Sequence, residues 1–170
     1  MYAFDRYRMD NRTVEQFAED IAQGTRVERE IISWYVRYYE MKYKIALEVE
    51  DNGCDNSGKL LERGEVNTLA DFKLNGQPVE VKFNNKRLLR FHFKVDQLES
   101  YLKQRASVIW VNGYETDSPV FTVLKTVDLE RIRKTRKPVA FLLWGGKMCY
   151  EIQAQEFKWL KFEGRTTVEK

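Results

Sequence analysis

The feature that most narrows the folds open to this chain is a turn. Asn75-Gly76-Gln77-Pro78 separates two strand-like runs, Leu69–Leu74 and Val79–Phe83. Asn-Gly between apolar runs favours the tight positive-φ turn of an antiparallel hairpin. In Val79-Glu80-Val81-Lys82-Phe83 the two-residue period puts Val79, Val81 and Phe83 on one face and Glu80 and Lys82 on the other. The apolar face can pack on a helix while the charged face opens onto a cleft.

The flanking sequence supplies both kinds of element. Thr13, with Gln16 as capping-box partner, opens a short amphipathic helix striped by Val14, Phe17, Ala18 and Ile21, which Gly24 is expected to end. A longer helix follows from Thr25 to Tyr43, with Val27, Ile31, Trp34, Tyr35 and Tyr38 at helical spacing. Residues 43–50 alternate as a strand (Ile45, Leu47, Val49), and residues 52–64, rich in Gly, Asn, Asp and Ser, read as a loop. Beyond the hairpin, Asp96 is expected to cap a helix reaching Arg105. Ser107–Asn112 and Pro119–Leu124 read as strands, Val127–Lys134 as a helix, and Val139–Trp144 with Cys149–Gln153 as a hairpin across Gly145-Gly146. The expected fold is α/β: a mixed central sheet of about five strands flanked by helices on both faces.

At 170 residues, 43% hydrophobic and 32% charged, one folded domain spanning residues 1–170 is expected. No apolar run approaches the roughly 20 residues that cross a bilayer, and the first residues are charged too early for a secretory signal. Two cysteines, Cys54 and Cys149, cannot build a disulfide framework or a four-cysteine metal site, so a reducing, cytoplasmic setting is the default. A lone histidine, His92, excludes chemistry that needs two, and no nucleophile-elbow motif accompanies it. The net charge of +3 is unevenly spread: residues 1–50 carry eight Lys/Arg against ten Asp/Glu. Lys82, Lys86, Arg87, Arg90 and Lys94 form an acid-free run, and Lys125, Arg131, Arg133, Lys134, Arg136 and Lys137 a second basic stretch with only Asp128 and Glu130 among them. Such segregation suits a phosphate backbone, although a solvated surface face would read the same way.

Asp71 stands nine residues before Glu80, and the hairpin can bring the two carboxylates side by side. Carboxylates held together repel unless a cation lies between them, and oxygen-only ligands favour Mg²⁺ or Mn²⁺. The Lys82 ammonium would then stabilise charge on an attacking hydroxide or a scissile phosphate. The plainer reading of Glu80-x-Lys82 is a salt bridge within the sheet.

Asp71, eight intervening residues and Glu80-Val81-Lys82, following a glutamate-bearing helix, resemble the PD-(D/E)xK nuclease superfamily. Gly24-Thr25-Arg26-Val27-Glu28-Arg29 is similar to the helix start of archaeal Holliday-junction resolvases, where the glutamate is a metal ligand. Gln97-Leu98-Glu99-Ser100-Tyr101 resembles the Q-x-x-x-Y element of RecB-like exonucleases. These matches span residues 24–101. The proline that names the motif is Ala70 here, the interval from Glu28 to Asp71 is longer than in compact resolvases, and the iron–sulfur cysteines of one branch are absent. The resemblance implies a restriction-endonuclease-like fold and Mg²⁺-dependent hydrolysis of DNA, endonucleolytic or exonucleolytic, in recombination, repair or phage-type DNA processing. Glu28, Asp71 and Glu80 would hold the metal, Lys82 would complete the catalytic set, and Gln97 and Tyr101 would meet the substrate strand.

Helix geometry checks the first ligand independently. At about 100° per residue Glu28 falls inside the apolar arc of Val27, Ile31, Ile32, Trp34, Tyr35, Tyr38 and Tyr39, whereas Glu30 lies at its edge. A carboxylate in a buried stripe is costly unless paired or metal-bound, which favours Glu28 over Glu30, with an ordinary ion pair as the alternative. The four aromatics Trp34, Tyr35, Tyr38 and Tyr39 fit a core better than a base-stacking platform. Lys86, Arg87 and Arg90, which directly follow the active strand, are the expected phosphate contacts. The expected partner is DNA, with a homodimer if the chain acts as a junction resolvase, and no membrane. A binding module without catalysis and an RNA nuclease are the rival readings.

Overall fold

The computed structural model describes residues 13–52 and 69–162. The expected hairpin is at its centre. Strands β2 (Phe72–Leu74) and β3 (Gln77–Asn84) pair antiparallel, Phe72 opposite Val79 and Leu74 opposite Gln77. Asn75 (φ 47°) and Gly76 (φ 79°) form the two-residue turn; left-handed φ at both positions is the geometry that Asn-Gly accommodates at least strain. Residues 69–71 lie outside the strand, and β3 continues to Asn84.

The remaining elements are α1 (Val14–Tyr43), β1 (Val49–Asp51), β4 (Arg90–Lys94), α2 (Val95–Gln104), β5 (Ser107–Asn112), β6 (Val120–Leu124), α3 (Thr126–Thr135), β7 (Val139–Phe141), β8 (Lys147–Gln153) and β9 (Leu160–Lys161). The central sheet is mixed, with order β1-β2-β3-β5-β6-β9; β3 and β5 run parallel and the other neighbours antiparallel. A second antiparallel sheet, β4-β8-β7, lies apart from it in pairing. On one face of the central sheet α1 packs Val27, Ile31, Ile32 and Tyr38 against Val79, Val81, Ile109, Val111 and Phe121. On the other, Leu98 and Tyr101 of α2, Leu129 and Ile132 of α3 and Phe91, Phe93, Tyr150 and Ile152 of the second sheet cover Val108, Trp110 and Leu124. Burial on both faces is why Val108-Ile109-Trp110-Val111 is uninterruptedly apolar. The expectation of a mixed sheet with helices on both faces therefore holds, with six strands rather than about five.

Several boundaries differ from expectation. The chain makes one 30-residue helix where a break at Gly24 was expected. The Thr13–Gln16 capping box forms, but Gly24 stays helical: a helical glycine costs only about 1 kcal/mol relative to alanine, less than leaving the backbone groups of two new helix ends without intrahelical partners. The helix ends instead at Lys44, in the left-handed region, whose N–H bonds to Glu40. Of the strand expected over 43–50 only β1 pairs, because its partner β2 is three residues long, and Ile45 is exposed. The N-cap of α2 is Lys94, not Asp96, since β4 hydrogen-bonds through Lys94 and passes straight into the helix; Asp96 sits in the first turn and accepts the Gln97 N–H. β4 itself is a strand where sequence reasoning saw only charge. The loop expected over 52–64 falls, but for Asn52, outside the described residues, as do the side chains of Val14 and Phe17. The aromatic stripe of α1 is core: Tyr38 meets Phe121 edge-on at 4.9 Å, and Trp34 stacks on Tyr114 at 5.5 Å.

Candidate active site

The site is built where β2 stops and β3 continues. Pairing between them ends at Phe72–Val79, while β3 stays paired to β5 as far as Asn84, so among the described residues no strand pairs with β3 beyond Val79 on the β2 side. Asp71 turns into that gap, and its Oδ2 accepts the Val81 N–H at 3.1 Å. Glu80 and Lys82 leave β3 on the face opposite Val79 and Val81, as the two-residue period requires. Glu80 is buried, only 9% exposed. Its Oε1 accepts the Tyr101 hydroxyl at 2.5 Å and lies 3.4 Å from the Lys82 ammonium. Lys82 also donates to Gln97 Oε1 at 3.0 Å and lies over the rings of Tyr101 and Phe93 at 5.4 and 5.6 Å. Gln97 and Tyr101, one turn apart on α2, thus both seat on the Glu80-x-Lys82 pair.

Glu28 faces this group from α1. Burial first, then the Glu80 charge, pushes its carboxyl from the ordinary range up to about 7, against the opposing pull of Lys82 and Arg29. Burial, then Glu80 and Glu28, pushes Asp71 up to about 8, although the Val81 N–H and Lys82 favour its charged form. Three carboxylates from α1, the β2 approach and β3 therefore sense one another, with a single lysine among them. Glu30 points elsewhere and accepts the Tyr114 hydroxyl at 2.5 Å. Electrostatics thus links Glu28 with Asp71 and Glu80, while Glu30 is taken up by Tyr114.

An all-oxygen donor set whose members are driven towards protonation by one another suits a hard divalent cation. As the side chains lie, however, no group of three or more His, Cys, Asp and Glu among the described residues stands close enough to clasp an ion. Glu80 is engaged by Tyr101 and Lys82 in that arrangement.

The expected phosphate contacts are less concentrated. Lys86 is exposed, Arg87 donates to the Ser118 carbonyl at 2.6 Å, and Arg90 pairs with Glu151 at 3.4 Å. The loop carrying Lys86 and Arg87 is clamped by buried Asn112, which accepts from Asn84 and the Leu88 N–H and donates to the Leu88 carbonyl. In the second basic stretch Arg131, Arg133, Lys134 and Arg136 face Asp128, Glu99, Glu130 and Glu156 respectively, which offsets much of its charge. His92 stacks on Phe141 at 3.9 Å within the second sheet.

Sequence reasoning missed Lys94 as a neighbour of the site. It is half-buried, and burial, then Lys147 and Lys82, hold its ammonium below the usual lysine range. The signal was present: Arg90-Phe91-His92-Phe93-Lys94 alternates as a strand, with Phe91 and Phe93 in the core. Asn84 and Asn112, partners at the ends of the parallel pair, carried no local signal. No family model, no curated protein and no solved structure matches the chain.

Proposed function

We propose that the chain is a metal-dependent nuclease that hydrolyses phosphodiester bonds in DNA, on a restriction-endonuclease-like domain of the PD-(D/E)xK type. One observation carries the reading: Asp71 reaches the Val81 N–H beside Glu80 and Lys82, and burial, with the charge of Glu80 and, at Asp71, of Glu28, raises Glu28 and Asp71 far above the ordinary carboxylate range. A structural salt bridge needs one acid and one base; here three acids act on one another with Lys82 and, at Glu28, Arg29 opposing them, and a divalent cation would relieve their mutual repulsion.

Glu28, Asp71 and Glu80 would hold Mg²⁺ or Mn²⁺, which when bound polarises a phosphate and acidifies water. The chain's own residues do the rest. Val81 N–H orients Asp71, and Tyr101 orients Glu80 through Oε1. Lys82, steadied by Gln97 and two aromatic rings, offers a preorganised positive charge to a phosphate developing negative charge. A second reading, a nucleic-acid-binding module without catalysis, draws on the bonds that already satisfy Glu80.

Incubation with labelled linear, single-stranded, flapped and four-way DNA in Mg²⁺, Mn²⁺ or EDTA separates the two. Cleavage that appears with either metal and vanishes in EDTA supports the nuclease. Binding without metal-dependent products leaves the module.

A further inference from the structure

The β7–β8 hairpin exposes apolar side chains in a way that its own packing does not explain. One 3₁₀ turn, Leu142–Trp144, closes through Gly145 and Gly146, both at left-handed φ, with Gly145 N–H bonded to the Leu142 carbonyl and Gly146 N–H to that of Phe141. The tip is therefore a shaped turn. It presents Leu142 and Leu143 outward, 84% and 79% exposed. Trp144 instead folds back, edge-on to Phe141 at 4.8 Å and beneath the Lys94 ammonium at 5.0 Å. Leaving two leucines in water forgoes the stabilisation their burial would give, and such patches mark contact sites.

Charge around the tip says what the contact is. From Lys137 to Tyr150 there is no acidic residue. Lys94 lies opposite Cys149 in the β4–β8 ladder, two residues along β8 from Lys147, and its ammonium stands over Trp144. Lys82 lies over Phe93, the neighbour of Lys94 on β4, and Glu151, the first acid past the tip, faces Arg90 and His92. Asp96 offsets part of the Lys94 charge. Three lysines therefore lead from the candidate catalytic cluster to the apolar tip. A phosphate chain suits that line, and apolar wedges beside phosphate contacts part stacked bases.

We propose that the tip is a wedge for nucleic acid: Leu142 and Leu143 press between bases where a DNA duplex opens into single strand, while Lys94 and Lys147 hold the phosphates leading towards Lys82. The identity of the strand as DNA rests on the nuclease reading above. The test is fluorescence anisotropy in EDTA with a labelled blunt duplex and the same duplex carrying a single-stranded arm. The wild type binds the armed duplex roughly tenfold more tightly. Leu142→Ser/Leu143→Ser binds both alike, at the blunt affinity, with an unchanged melting temperature. Lys147→Ala weakens both by a similar factor and lowers the salt slope by about one.

A wild type without preference for the arm, or a double variant that keeps it, overturns the wedge. So does a double variant that instead dissociates a dimer in sedimentation, or loses binding to phosphatidylserine vesicles while its DNA binding is intact. Metal-dependent cleavage of the armed duplex at equal rates in wild type and double variant defeats the wedge alone. Arm preference without cleavage in any metal defeats the nuclease reading alone.

Discussion

Glu80 and Val81 are neighbours on β3, both are buried, and their side chains leave the strand in opposite directions. Val81 joins Val79 beneath α1 among apolar partners, where every buried methyl group contributes to stability. Glu80 enters the side that holds Asp71, and burial raises the free energy of the charged carboxylates of Asp71 and Glu28. One face stabilises the fold and the other strains it. That strain beside a well-packed core is what the proposed metal site would account for.

That contrast is easiest to break by mutation. Asp71→Asn and Glu80→Gln keep acceptors for Val81 N–H and for the Tyr101 hydroxyl while removing charge. Each should slow single-turnover DNA cleavage roughly a thousandfold with a melting temperature equal to or above wild type. Val81→Ala should do the reverse, losing about 2 kcal/mol and keeping its rate per folded molecule. An amide variant that cleaves at the wild-type rate, or unfolds as readily as Val81→Ala, erases the distinction between the faces.

Lys82→Ala sharpens it. A lysine cannot ligate a metal, so its loss should leave Mn²⁺ affinity unchanged or slightly improved in calorimetry, because one repelling charge has gone. Cleavage should still slow roughly a hundredfold. Wild-type cleavage by this variant would reduce Glu80-x-Lys82 to a structural pair. A smaller effect separates the two glutamates of α1. Glu28→Gln should lower Mn²⁺ affinity and rate together, roughly tenfold, whereas Glu30→Gln, which retains the Tyr114 bond, should change both by less than about twofold. The opposite ranking would move the helix ligand to Glu30.

The parts of this arrangement that were legible in the sequence are those set by local period. Asn75-Gly76 demanded the turn, the alternation of β3 placed Glu80 and Lys82 together, and helical spacing put Glu28 among apolar residues and Gln97 beside Tyr101. Gly24 misled because a helical glycine costs little against the backbone hydrogen bonds that a break in the helix would leave unpaired. β4 was hidden by its own charges: Arg90, His92 and Lys94 alternate with two buried phenylalanines, but five residues of mixed basic and aromatic character invite a reading as surface. Asn112 meets the loop that carries Lys86 and Arg87 only through the pairing of β5 with β3, a partner distant in sequence, and no window along the chain could bring it there.

The subtlest consequence of the charged face is a pH dependence opposite to that of ordinary carboxylates. Asp71 and Glu28 rise from ordinary values of 3.8 and 4.5 to about 8 and about 7 in the fold. Between those limits the native state binds more protons than the unfolded chain, so stability must fall as pH rises. The contribution is fully present below pH about 4, where both states are protonated, and is lost as pH passes through about 7 to 8. In EDTA the melting temperature should therefore drop by about 5 °C between mildly acidic and mildly alkaline buffer. Asp71→Asn should remove much of that drop, and Val81→Ala should lower the whole curve without changing its slope. Mn²⁺ should flatten the slope, since a cation binds the deprotonated carboxylates and its affinity grows as protons leave. A melting temperature in EDTA that rises with pH over this range would mean that the carboxylates are ionised and paired in the fold. The two faces of β3 would then differ in polarity but not in strain.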